Sequence, residues 1–166
     1  QRFTKLHIER NRCMSRIEEK LKEMGIVIPE AAKPVAAYVP GVLENGYVYT
    51  SGQLPGVSGV VRKGKLGDNL TVEEGYEAAK ICAINCLAVV KSLVGDLDKV
   101  ERIVKVVGFV NSTPDCESQP KVINGASELL GKIFDEAGAH ARSAVGVASL
   151  PLGACCEVEM IIKVKA

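Results

Sequence analysis

The sequence predicts an α+β domain in which two long helices cover one face of a mixed β-sheet. Two segments, 72–94 and 118–137, carry apolar residues at helical spacing. Several shorter segments are rich in β-branched residues, as strands are. Predicted hairpins are mixed with helical crossovers, which indicates that antiparallel and parallel strand pairs share one sheet. The 166 residues suit a single domain with one core.

The first 13 residues differ from the rest, with four basic residues, one acidic residue and little periodicity. One interpretation makes residues 1–13 an N-terminal extension before a natural start at Met14. The other makes them a short structured arm. We expect the extension, and we assign residues 14–166 to the domain.

The predicted elements begin with a short helix over 15–24, whose apolar residues share one face and which Gly25 ends. Prolines punctuate the extended stretch that follows. Residues 36–42 and 46–54 are predicted to pair as a hairpin, because the Asn-Gly dipeptide between them favours a tight turn. A third short strand is expected over 57–61.

A capping box predicts the start of the first long helix: the Thr71 hydroxyl caps the Glu74 amide, and the Glu74 carboxylate reaches back. Apolar residues then recur at spacings of three and four until Gly95 ends the helix. A central β-branched strand is predicted over 100–110, and the second long helix stops at Gly138.

The last two strands are predicted over 142–149 and 154–164. Residues alternate along the second of them, so that one of its faces is fully apolar. Its other face carries polar and apolar residues together: Cys155, Glu157, Glu159, Ile161 and Lys163. Because no helix is left to cover this half-polar face, we expect it to contact another subunit.

The composition argues against two classes of partner. The 21 Lys and Arg residues nearly cancel the 20 Asp and Glu residues, which leaves a net charge of +1 and no general attraction for nucleic acid or acidic lipid. Three Phe, four Tyr and no Trp offer little material for stacking on bases. No uncharged stretch has the apolar length of a membrane span. We therefore expect neither nucleic acid nor membrane as a partner.

Six cysteines are present without a C-x-x-C pair, and two histidines do not supply zinc-finger spacing. We interpret Cys82 and Cys86, four residues apart on the first long helix, as buried thiols that act as small hydrophobes. No secretory signal precedes them, and the reduced cytoplasm is the expected location.

Chemistry is indicated by two charged residues in unusual settings. Arg142 precedes an uncharged stretch over 143–156, and Glu157 lies within an apolar strand. One interpretation is a buried or interface ion pair. The other gives Arg142 a ligand carboxylate to bind through its planar fork, and gives Glu157 a proton to transfer or a water to position. A Cys–His nucleophile pair with His140 is a weaker alternative, since no cysteine is placed beside it.

Three short motifs appear in order: Ser-Gly-Gln-x-Pro over 51–55, Ala-Arg-Ser over 141–143 and Leu-Pro-x-Gly over 150–153. With Glu157 after them, they make the chain resemble the reactive-intermediate (imine/enamine) deaminase family, also called L-PSP endoribonuclease-like. The resemblance covers roughly residues 35–165.

This resemblance implies a chorismate-mutase-like fold and a homotrimer with clefts between subunits. It implies that Arg142 binds the substrate carboxylate, that Glu157 positions the hydrolytic water, and that four further residues line the cleft: Tyr38, Ser51, Gly52 and Asn124. The implied reaction is hydrolysis of 2-imino or enamine acids to 2-oxo acids and ammonia, which needs no cofactor or metal. The implied partners are the 2-imino or 2-oxo carboxylic acid and further copies of the chain.

The chain departs from the family pattern at two positions. Gly146 stands where typical deaminases carry Glu, and Ala144 where many carry Cys; both small residues are expected to widen the cleft. The helix over 15–24 and the loop over 111–119 indicate a longer subgroup. Two other functions stay open: a non-catalytic trimer that binds a small carboxylate, and an endoribonuclease, which the neutral charge disfavours.

Overall fold

A computed structural model of the chain describes residues 15–34 and 36–166. The predicted extension over 1–13 lies outside the described residues. In chain order, the described elements are α1 (Arg16–Glu23), β1 (Gly41–Glu44), β2 (Tyr47–Thr50), β3 (Gly56–Val57), β4 (Val60–Val61), α2 (Val72–Val94), β5 (Val100–Asn111), α3 (Gln119–Phe134), β6 (Ala141–Val147) and β7 (Cys156–Val164).

Five of these strands form one mixed sheet in the order β1-β2-β7-β5-β6. The neighbours pair antiparallel except β5 and β6, which are parallel and joined by α3 as a crossover helix. The predicted mixed α+β architecture is confirmed. The expected strand over 57–61 is instead the tight hairpin β3–β4, because Ser58 and Gly59 adopt left-handed conformations (φ 50° and 81°) and reverse the chain.

The predicted hairpin between the first two strands is confirmed, with Asn45 and Gly46 both at positive φ (50° and 80°) as a type I′ turn requires. Its strands are shorter than predicted. Pairing begins at Gly41 because Pro40 before it has no N–H to donate. Beyond β2, the chain leaves the ladder at Ser51 and touches β7 again at Gln53.

The two long helices pack on one face of the sheet. The capping box at the start of α2 is present: the Thr71 hydroxyl accepts from the Glu74 amide at 3.1 Å, and the Glu74 carboxylate accepts from the Thr71 amide at 3.0 Å. The side chains of β7 that face the helices are all buried: Cys156, Val158, Met160, Ile162 and Val164. This layer of apolar side chains is the core.

The short helix α1 packs against α3 and is tied to the turn before β5. The Asp98 carboxylate accepts hydrogen bonds from the backbone amides of Arg16 and Ile17, each at 2.9 Å. These two amides would otherwise lack partners at the start of the helix, and a carboxylate there is favoured by the helix dipole. The predicted helix over 15–24 is confirmed to within a residue at each end.

Several predicted boundaries change, and the strand predicted over 142–149 spans Ala141–Val147. Helix α3 ends at Phe134 because Asp135 has a positive φ of 52°, and residues 135–138 form a 3₁₀ turn. The last strand begins at Cys156, so that Cys155 lies in a bend before it and is fully buried rather than on the half-polar face. From Glu157 onward the predicted alternation is confirmed, and the face opposite the helices is left open. No helix in the described part of the chain could span a bilayer.

Candidate functional site

The six residues proposed for the site fall into two groups. Tyr38, Ser51, Gly52 and Glu157 form one, which we name the glutamate group. Asn124 and Arg142 form the other, the arginine group.

Backbone contacts assemble the glutamate group. The Ser51 hydroxyl donates to the Val39 carbonyl at 2.6 Å, and the Ser51 amide donates to the Pro40 carbonyl at 2.7 Å. Gln53 exchanges two backbone hydrogen bonds with Val158, at 2.8 and 3.1 Å. The loop that carries Ser51 and Gly52 is therefore fixed beside β7.

Glu157 points out of the open face of the sheet and is half-buried against Gly52. A Cβ at position 52 would collide with the Glu157 carboxylate, which explains why this position is a glycine. Burial raises the pKa of Glu157, and the nearby charge of Glu159 adds to this effect. Glu157 forms no ion pair with any described residue. A carboxyl group with a raised pKa holds a proton more readily, which suits a group that must both accept and return one.

The arginine group lies at the edge of the sheet, between β6 and α3. The Arg142 Nη1 donates to the Asn124 Oδ1 at 2.7 Å and to the Ser127 Oγ at 3.2 Å. Within the described residues, the Nε and Nη2 of Arg142 make no hydrogen bond and no carboxylate pairs with the guanidinium. These two nitrogens form the parallel N–H pair that matches a carboxylate.

Within one chain, the two groups lie on opposite faces of the sheet. Arg142 is paired with Val106 of β5, whose side chain is buried under the helices. Glu157 is paired with Phe109, three residues further along β5 and therefore on the other face. Their strands flank β5, about 10 Å apart. An ion pair between Arg142 and Glu157 within one chain is thus wrong, and a contact between chains stays a prediction.

The expected widening of the cleft at Gly146 is wrong. A Cβ at this position would collide with the Ser112 hydroxyl and with the Gln119 amide, which donates to the Cys116 carbonyl at 2.8 Å. Side chains from the loop after β5 and from the start of α3 therefore fill the place beside the glycine. Ala144 packs against the core.

Two further polar residues lie beside the arginine group: Ser127, which was not predicted, and His140, which was considered only as the partner of a cysteine. Ser127 lies on α3 one turn after Asn124, and this i, i+3 spacing could have identified it. His140 bonds to Ser127 through its Nε2 at 2.8 Å and to the Gly138 carbonyl through its Nδ1 at 2.7 Å. Nothing in the sequence could have identified the contact between His140 and Ser127, because it depends on the 3₁₀ turn after α3.

A cleft of about 510 Å³ adjoins the glutamate group. Tyr38 and Gly52 line it, together with Pro29, Pro34 and Leu54 from the extended stretch and the loop after β2. Asn85 of α2 closes the wall by donating to the carbonyls of Leu54 and Gly56, at 3.0 and 3.1 Å.

Four thiols lie together in the core: Cys82 and Cys86, as predicted, and also Cys155 and Cys156. The Sγ atoms of Cys82 and Cys156 are 3.7 Å apart, and those of Cys155 and Cys156 are 4.0 Å apart. Burial raises the pKa of Cys86 to about 12. In the described ranges, no group of three or more His, Cys, Asp or Glu residues is arranged to hold a metal ion.

Comparison with curated proteins identifies two relatives. Protein TCP17 of Trypanosoma cruzi is 44% identical over 151 residues, which cover 89% of this chain and 94% of that protein. A candidate regulator, AldR of Lactococcus lactis, is 30% identical over 139 residues, which cover 82% of this chain and 94% of that protein.

Solved structures have the same fold. Protein Atu1372 of Agrobacterium tumefaciens superposes with a TM-score of 0.84 at 44% identity, over 90% of this chain and 92% of that chain. A candidate endoribonuclease of Shewanella oneidensis gives 0.86 at 34% identity, over 89% and 99%. TdcF of E. coli, solved with bound serine, gives 0.58 at 26% identity, over 82% and 94%.

A family model described as "YjgF/chorismate_mutase-like, putative endoribonuclease" matches residues 18–164. The match runs from within α1 to the end of β7 and includes both groups of site residues. The chain therefore belongs to the YjgF/chorismate mutase-like family.

Proposed function

We propose that the protein hydrolyses 2-imino and enamine acids to 2-oxo acids and ammonia, at a cleft completed between two copies of the chain. One observation carries this proposal: the Nε and Nη2 of Arg142 have no partner in the described chain, while Asn124 and Ser127 hold Nη1. An arginine held on one side and free on the other is prepared for a carboxylate. The serine bound to TdcF, an amino acid, supports a ligand of this class.

The chemistry needs an acid–base group beside the reacting carbon. An enamine acid first gains a proton from solvent on its β-carbon and becomes a protonated imine. The carbon of a protonated imine is electrophilic, so a water held by Glu157 can attack it. Glu157 accepts a proton from that water as the C–O bond forms. It then returns this proton to the nitrogen. As the C–N bond breaks and ammonia leaves, the carboxylate accepts the hydroxyl proton of the intermediate, whose oxygen becomes the 2-oxo group, and ammonia takes that proton up as ammonium. Water supplies the oxygen of the 2-oxo acid, and binding supplies the orientation.

The opposite placement of the two groups supports a site shared between subunits. Arg142 and Glu157 cannot meet on one substrate of a few atoms within one chain, whereas neighbouring copies in a ring can bring them together. The open face of the sheet carries partly exposed apolar side chains, including Tyr49 and Val145, which a second copy would cover. We therefore propose a homotrimer, and light scattering at micromolar concentration tests it: a monomer would contradict it.

We also propose a cytoplasmic location. The five described cysteines are all free, and four of them lie in one buried cluster. A reducing compartment keeps such neighbouring thiols from pairing.

An ammonia-release assay tests the activity, with imines generated in situ from several amino acids. We expect Arg142→Ala to raise KM, and Glu157→Gln to lower kcat by about 100-fold or more. Glu73→Gln on the exposed side of α2 is the matched control and should behave as the unmutated protein. Equal rates for Arg142→Ala and the unmutated protein would remove Arg142 from the mechanism.

A non-catalytic carboxylate-binding protein is the second candidate, and the relationship to the candidate regulator AldR favours it. The same set of proteins separates the two. Hydrolysis that Glu157→Gln abolishes, with pyruvate binding retained, identifies an enzyme. Pyruvate binding without hydrolysis by the unmutated protein identifies a binder. Incubation with RNA adds a third arm, in which cleavage lost in Glu157→Gln would identify an endoribonuclease.

A further inference from the structure

We infer that Ser127 and His140 are positioning residues, which act through hydrogen bonds to hold Arg142 in the orientation that binds a carboxylate. This inference rests on the proposed function for the class of ligand, but its geometry stands within one chain. It assigns a role to two side chains that neither the motifs nor the deaminase mechanism uses.

The hydrogen bonds run in one direction from the guanidinium to the backbone. The Arg142 Nη1 donates to the Ser127 Oγ at 3.2 Å, and that hydroxyl lies 2.8 Å from the His140 Nε2. The His140 Nδ1 lies 2.7 Å from the Gly138 carbonyl. Because a carbonyl only accepts, the Nδ1 must carry the proton.

The position of this proton determines which group donates and which accepts in the other hydrogen bonds. In neutral His140 the Nε2 is then an acceptor, so the Ser127 hydroxyl donates to it and its oxygen stays available to Arg142. Burial lowers the pKa of His140 below its ordinary value, and the positive charge of Arg142 lowers it further. The hydrogen bond to the Gly138 carbonyl raises the pKa and only partly offsets these two effects. The neutral form is therefore favoured at physiological pH.

These hydrogen bonds fix the orientation of the Nε and Nη2 of Arg142, the two nitrogens that have no partner in the described chain. Nη1 has two hydrogens, and Asn124 and Ser127 accept one each. With both used, the guanidinium plane cannot rotate without breaking a bond, and the Nε–Nη2 pair faces away from α3. Without Ser127 or the His140 acceptor, one hydrogen loses its fixed partner and Arg142 gains freedom that a ligand must remove on binding.

Two replacements of His140 separate this role from a purely structural one. His140→Gln can place an amide oxygen near the Nε2 position and accept from Ser127. His140→Asn instead keeps a donor for the Gly138 carbonyl but has nothing to offer Ser127. Ser127→Ala removes the middle of the chain and places a good helix former in α3. Lys132→Gln, on the exposed side of α3, is the surface control.

The experiment measures pyruvate binding by calorimetry, KM and kcat in the ammonia assay, and the side-chain NMR signals of Arg142 without ligand. We expect Ser127→Ala and His140→Asn to weaken pyruvate binding and to raise KM about 3- to 10-fold with kcat less affected. Their Arg142 Nη1 signals should broaden. His140→Gln, which keeps an acceptor for Ser127, should retain more pyruvate binding than His140→Asn, and only Lys132→Gln should match the unmutated protein.

Two results would overturn the inference. One is unchanged, sharp Arg142 signals in Ser127→Ala. The other is equal loss in His140→Gln and His140→Asn with equal drops in Tm, which would indicate support for the turn instead. A protein that neither binds pyruvate nor releases ammonia would contradict the proposed function, while the ligand-free NMR signals would still judge the positioning role.

Discussion

The two groups of site residues are held in different ways. Mostly backbone hydrogen bonds place the glutamate group: the Ser51 amide bonds to Pro40 and Gln53 bonds twice to Val158, with the Ser51 hydroxyl adding a side-chain bond to the Val39 carbonyl. Side-chain hydrogen bonds place the arginine group, in a chain from Arg142 through Ser127 to His140. A site fixed by backbone tolerates side-chain changes except where a side chain would collide, as at Gly52. A site fixed by side chains is sensitive at each member.

The largest expected effect comes from mixing two impaired variants, one altered in each group. Arg142→Ala keeps an intact glutamate group, and Glu157→Gln keeps an intact arginine group. In a random equal mixture of trimers, roughly one quarter of interfaces combine both intact groups, because each is supplied by a different subunit. Denaturing and refolding the two together should therefore restore ammonia release to about that fraction.

Each variant refolded alone is the control for the mixture. A mixture no more active than its separate components would mean that both groups act within one chain. That outcome would also contradict the placement of Arg142 and Glu157 in a shared cleft.

Two glycines, one in each region, give the next largest effect. Gly52→Ala forces its Cβ into the Glu157 carboxylate, and the backbone bonds around it leave the loop little freedom. We expect kcat to fall about tenfold or more. Gly146→Ala meets the ends of the Ser112 and Gln119 side chains, and Gln119 can move. It should cost about 1–3 kcal/mol of stability with kcat within twofold.

Steady-state kinetics and thermal unfolding of both variants check this contrast. Equal loss of kcat in the two would mean that the arginine side is as rigid as the glutamate side. Unchanged kcat in Gly52→Ala would mean that the Glu157 carboxylate is free to move.

Sequence reasoning succeeded where the determining contacts are local. The capping box at Thr71 and the Asn45–Gly46 turn each depend on neighbours within four residues, and both elements were predicted correctly. The alternation of β7 also appears in the residues themselves. The mixed sheet followed from combining such elements.

Sequence reasoning did not reach what depends on register. The opposite faces of Arg142 and Glu157 follow from pairing with Val106 and Phe109, and nothing local sets that pairing. The Gly146 position appeared open, because the residues that fill it come from the loop after β5 and from the start of α3. His140 reaches Ser127 only because the chain turns sharply after Asp135.

The pH dependence of stability gives a smaller effect, confined to the glutamate group. Burial raises the pKa of Glu157, so the folded state holds this proton more tightly than the unfolded state. The stabilising contribution is present below the unfolded pKa and is lost as pH rises through the folded pKa. Glu157→Gln removes that loss, and it should raise Tm at pH 7 by roughly 1–3 °C.

The gain should shrink as pH falls toward 4, where the carboxyl is protonated in both states. Calorimetry at the two pH values checks this, with Glu73→Gln as an exposed control. A variant equally stabilised at both pH values would show that charge is not the cause. A stabilised but inactive Glu157→Gln would mean that the site keeps a costly carboxylate for chemistry.

Thiol labelling compares the cysteines that lie beside the two groups of site residues. It has the smallest expected effect on activity. Cys86 and Cys156 lie beneath the glutamate group; the Cys86 Sγ donates to the Val158 carbonyl at 3.3 Å, and Cys156 precedes Glu157. Both are fully buried with raised pKa, whereas Cys116, whose carbonyl holds Gln119 on the arginine side, is half-buried.

Because only the thiolate of an accessible cysteine reacts, Cys116 should be labelled first among the described cysteines, with little change in kcat. Mass spectrometry of labelled peptides measures the order, and early labelling of Cys86 or Cys156 would mean that β7 opens often enough to move Glu157.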